Sequence, residues 1–69
     1  MKSIIIKDLI DDFMEGKLEP DIYSGFNEDK EVVFVIISED KLVFITSQKN
    51  NFIRFNVIHK DGTKEEYYE

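Results

Sequence analysis

Asp8, Asp11, Asp12 and Glu15 are the residues of this chain whose type and spacing could do chemistry together. Set three and four apart, they line up along one ridge if the segment is helical. A row of carboxylates can hold a cation, move protons, or meet the positive charge of another macromolecule. The first use needs carboxylates at alternating positions closed by a Glu, as in a calcium loop, and that spacing is absent here. Glu19, Asp21, Glu28, Asp29 and Glu31 continue the acidic bias without supplying it. The second use needs a converging partner. His59 is the only histidine, it precedes the Asp61-Gly62 pair, and no Asp-His-Ser or multi-His spacing surrounds it. It reads as a surface residue at a strand end.

The other reactive types are accounted for more simply. Ser3, Ser24, Ser38 and Ser47 suit caps and turns, and Gly16, Gly25 and Gly62 are too far apart for a phosphate-binding loop. With no cysteine there is neither disulfide, thiolate metal site nor cysteine nucleophile. The expectation is a protein with no catalytic residues, no metal and no cofactor, and not an enzyme.

Contact with a macromolecule remains. The net charge of −6 makes direct binding to a nucleic-acid backbone a poor fit, because phosphate neutralisation needs a basic surface. A basic protein partner suits it better. Like charges at helical spacing cost about 0.2–0.5 kcal/mol each. No lysine is interleaved on the ridge, Lys7 points aside, and Asp12 and Glu15 lie toward the end of the helix where negative charge is unfavourable. The ridge reads either as a surface that meets a basic groove or as a solvated helix face. Tyr67 and Tyr68 are further candidates for partner binding, since an apolar ring with a polar tip suits interfaces. One of them is expected to pack beside Phe55 or Val57, with the other exposed.

These residues need elements to position them. Ser3 suits an N-cap, and Ile6, Leu9, Ile10 and Phe13 form an apolar stripe opposite the acidic ridge. Gly16 suits the position just past the helix, and Pro20 forbids continuation. The spacing predicts a helix over 4–15, with a short strand through Ile4 to Ile6 as the alternative, because β-branched residues lose freedom in helices.

Ile22 to Phe26 reads as a short strand interrupted at Gly25, and Asn27 to Lys30 as a polar turn. Two β-branched and aromatic runs in Val32 to Ser47 flank the polar Ser38 to Lys41, which is the pattern of an antiparallel hairpin. That turn sets Ile37 opposite Leu42, Val35 opposite Phe44 and Val33 opposite Thr46. The reverse face, with Val32, Phe34, Ile36, Val43 and Ile45, is apolar as well.

Gln48 to Asn51 is turn-prone. Phe52 to His59 alternates, with Ile53, Phe55 and Val57 on one side and Arg54 and Asn56 on the other, while Phe52 and Ile58 are expected near its ends or under a loop. Asp61-Gly62 turns the chain into Thr63 to Tyr68, whose charges suit an exposed edge strand.

The 69 residues are expected to form one small α+β domain, with an N-terminal helix packed on a four- or five-stranded antiparallel meander sheet. The helix can cover one face of the central hairpin. The other must be curled upon itself or covered by a second copy. Lys7 and Asp8 end the first apolar run far short of a signal peptide or membrane span, so a cytoplasmic protein with no membrane contact is expected. The functional expectation is a small acidic binding protein that covers a basic surface of another protein. Size and charge are analogous to inhibitors of the phage or mobile-element kind that imitate nucleic acid. The alternative is a homodimer or assembly component using the second apolar sheet face.

Overall fold

A computed structural model describes residues 3–48 and 52–69 of the chain. The elements run α1 (Ile6–Met14), β1 (Asp21–Phe26), β2 (Val32–Ile37), β3 (Lys41–Ser47), β4 (Ile53–His59) and β5 (Lys64–Tyr68). All five strands form one antiparallel sheet in the order β1-β2-β3-β4-β5, a meander with the helix on one face. Among the described residues no helix is long and apolar enough to cross a membrane.

The central hairpin has the expected register: Ile37 faces Leu42, Val35 faces Phe44 and Val33 faces Thr46. Ser38 closes it, its N–H and hydroxyl both donating to the Lys41 carbonyl at 3.0 and 2.9 Å. These inward residues are fully or nearly fully buried, with Phe13 and Ile4 packed over them and Ile58 beside them. Ile6, Leu9 and Ile10 complete the helix stripe on that core. Thr46 is the buried polar member. Its hydroxyl has no hydrogen-bond partner among the described residues, so it adds volume to the core at a desolvation cost.

The helix begins later than the 4–15 span predicts, and Ser3 does not cap it. Ile5 occupies the N-cap with extended backbone and no side-chain hydrogen bond. Ser3 instead bridges Phe26 in parallel, and the Ile4 N–H donates to the Phe26 carbonyl at 2.7 Å. Extended backbone suits the β-branched Ile4 and Ile5, and it buries Ile4 against the sheet.

The helix ends as expected. Gly16 takes φ +74°, its N–H bonds to the Phe13 carbonyl, and the Lys17 N–H reaches the Asp12 carbonyl at 2.9 Å, a Schellman pair. Lys60, from the β4–β5 turn, donates its ammonium to the Phe13 carbonyl and lies 4.1 Å above the Phe13 ring centroid.

Gly25 does not interrupt β1, which runs through it and pairs it with Val33. The following polar turn is held by the Asn27 side-chain oxygen, which accepts from the Asp29 and Glu31 N–H groups. Of the expected turn after β3, Gln48 donates to the Phe52 carbonyl, while Lys49 to Asn51 lie outside the described residues.

In the last hairpin, Gly62 has φ +90° and the Thr63 N–H donates to the Asp61 carboxylate at 2.9 Å. The hydrogen bonds from Thr63 hold the Asp61 carboxyl below its usual range. This contribution is present above the ordinary carboxylate pKa and is lost as pH falls through the lowered value. A Cβ at Gly62 would meet nothing within 4 Å, so a substitution is penalised by backbone conformation alone. Gly62→Val is expected to cost on the order of 1 kcal/mol or more, read as a lower denaturation midpoint. An unchanged midpoint would show that the turn relaxes freely.

Candidate functional site

The helix turns Asp8, Asp11, Asp12 and Glu15 away from the sheet because Phe13 and its apolar neighbours are drawn toward it. Asp8, Asp11 and Glu15 are exposed and Asp12 is half-buried. Among the described residues no ion pair reaches Asp8, Asp11 or Asp12. Glu15 is relieved by a residue beyond the helix, Lys17, whose ammonium is 3.0 Å away. That pair is well exposed and therefore weak.

The ridge adjoins a groove of about 670 Å³ between α1 and the segment leading into β1. Asp8, Glu19 and Asp21 stand in its lining with Lys17, over an apolar floor that includes Leu9 and Leu18. Tyr23 also lines it, and its hydroxyl is held above its usual pKa by burial and by the nearby Asp21 charge. A carboxylate-rimmed groove with an apolar floor matches the two halves of a lysine or arginine side chain, a cationic head on a hydrocarbon stem. Sequence spacing revealed the ridge but not this groove, because Glu19 and Asp21 join Asp8 only through the fold.

Tyr67 and Tyr68 are not brought together with the ridge as one site. Alternation along β5 sends Tyr67 to the sheet face away from the helix and Tyr68 to the helix side. Tyr67 lies directly across from Phe55, and the tyrosines remain 50% and 62% exposed. Each hydroxyl donates to a carboxylate two residues back, Tyr67 to Glu65 at 2.6 Å and Tyr68 to Glu66. Those bonds hold both phenols above their usual pKa. Glu65 also contacts His59 Nε2 at 2.6 Å, and the His59 and Tyr67 hydrogen bonds hold its carboxyl below the usual range. The sequence offered no signal for this His59–Glu65 contact beyond the proximity that a hairpin confers.

The chain matches no family model, no curated protein and no solved structure. Among the described residues no three His, Asp or Glu side chains are grouped so as to hold a metal ion. The two sides of the molecule present different surfaces, carboxylates without an ion pair among the described residues on one and exposed apolar side chains on the other. On that second side Ile22, Phe34, Ile53 and Tyr67 are 71%, 50%, 38% and 50% exposed.

Proposed function

We propose that the protein acts by binding, with its helix ridge covering a basic surface on another protein and thereby modulating or inhibiting it. The observation that carries this reading is the set of three carboxylates, Asp8, Asp11 and Asp12, exposed or half-exposed and without an ion pair among the described residues. Their mutual repulsion stabilises nothing in the isolated chain, and a cationic partner would relieve it. The groove containing Glu19 and Asp21 extends the same charge and would receive a lysine or arginine from that partner.

A basic surface that accepts such a ridge is electrostatically suited to nucleic-acid phosphates too. The immobilised chain is therefore expected to capture a basic protein from lysate of its source cells. Nucleic acid should compete for that protein, and its release should steepen as salt rises above about 0.1 M, where the screening length falls below about 10 Å. Capture of a protein that is neither basic nor displaced by nucleic acid, and that survives high salt, would contradict the reading.

A further inference from the structure

The sheet has a second face, opposite the helix, that no part of the described chain covers. It runs from Ile22 on β1, through Phe34 and Ile45, to Phe55 and Tyr67 on β4 and β5. Ser24, Phe34, Ile45, Phe55 and Tyr67 form one continuous cross-strand row at its centre. The sheet does not close on itself, since β1 and β5 are its two edges. The described molecule is 17 Å through its thinnest dimension, the depth of one helix layer on one sheet layer.

We infer that a second copy of this chain packs against this face, forming a symmetric dimer of four layers, helix, sheet, sheet, helix. Charge argues for that occupant. On β1 to β4 the rows from Ile22–Val57 to Phe26–Ile53 hold no ionisable acid or base; Lys41 and His59 lie beyond them at one end, and Glu65 and Glu69 flank Tyr67 along the β5 edge. The chain as a whole carries −6, so two copies repel wherever their carboxylates meet. Across the β1 to β4 part of this face they meet without opposing charge, and the two acidic ridges point outward on opposite sides. A basic partner, by contrast, finds no carboxylate in the middle of this face to pair with, and its place is the ridge.

Shape and area agree. Two sheets of the same right-handed twist pack face to face with strand directions about 30° apart, which a sheet and its own copy satisfy. Five strands at about 4.8 Å spacing and about six residues each give a face of roughly 480 Å² in plan. Two such faces bury about 1,000 Å², the area at which specific association becomes sustainable. A cysteine-free chain of 69 residues is also of the size at which oligomerisation commonly supplements a small core.

Sedimentation of the full chain from about 1 μM to about 1 mM tests this. The expected result is a transition from 8.2 kDa to twice that mass, unaffected or strengthened by salt near 1 M because apolar association is not screened. Phe34→Lys should raise the dimer dissociation constant at least ~30-fold while keeping the circular dichroism of the wild type. Should that variant fail to fold, Ile22→Lys is the substitute, since Ile22 is 71% exposed on an edge strand and contributes little to the monomer core. A mass of 8.2 kDa throughout the series overturns the inference. So does a dimer that a folded lysine variant leaves intact, or one that salt dissolves. None of these results touches the ridge, whose capture experiment stands separately.

Discussion

Phe44→Ala is expected to destabilise the fold by roughly 3–5 kcal/mol, and Phe34→Ala at low protein concentration by less than about 1 kcal/mol. The two residues lie on adjacent strands of the same hairpin but on opposite faces. Phe44 is fully buried among Val35, Leu42 and the helix residue Phe13, so truncation opens a cavity that neighbours on both layers cannot fill. Phe34 is 50% exposed, and much of its ring is already in water.

A domain of this size has only about 3–10 kcal/mol of total stability, so the Phe44 change should leave a large unfolded fraction. Denaturant midpoints measured at a few micromolar protein decide it. Equal costs at both positions would mean that the second face is covered within a single chain. If the Phe34 cost grows with protein concentration, the added burial comes from the second copy.

Much of this was legible in the residues because local chemistry and tertiary packing agree there. Ser38 to Lys41 could turn only one way between two apolar runs, and the register from Ile37–Leu42 to Val33–Thr46 follows from it. Gly16 and Gly62 mark turns because each adopts the positive φ that other residues resist. The absence of alternation in β2 and β3 left a second apolar face that the helix could not cover, and within the single chain Phe34 on that face is half exposed.

Other features depend on distant contacts. Ser3 has the chemistry of a cap, yet Ile4 gains more by lying beside Phe26 than by joining the helix. Lys60 meets the end of α1 from 47 residues away, which no local spacing signals. β4 is misleading in a more instructive way. Its apolar side, Ile53, Phe55 and Val57, lies on the open face, while Arg54 and Asn56 share the helix side with the buried Ile58. Alternation tells which residues share a face but not which face the single helix will cover. The acidic ridge was visible from spacing alone, whereas the groove beside it required the path of residues 17–23 around the helix.

The ridge carries the proposed function, and reversing it has the largest expected effect on binding. Replacing Asp8, Asp11, Asp12 and Glu15 with lysine changes four charges by two each and takes the net charge from −6 to +2. These side chains lie outside the core, and positive charge at positions 12 and 15 suits the C-terminal end of the helix. The fold should therefore survive, with an unchanged or slightly higher midpoint. Binding should not: a basic partner now meets like charge, at a cost of several kcal/mol.

The decisive measurement is the dissociation constant of the captured partner for the wild-type and quadruple-lysine chains, taken side by side over a salt series. Weakening of at least ~100-fold, about 3 kcal/mol, is predicted at low salt, with the gap narrowing as salt rises. Asn and Gln at the same positions should fall between the two, with a shallower salt slope. A folded quadruple-lysine chain that binds the partner with wild-type affinity would contradict the proposal and return the ridge to a solvated helix face.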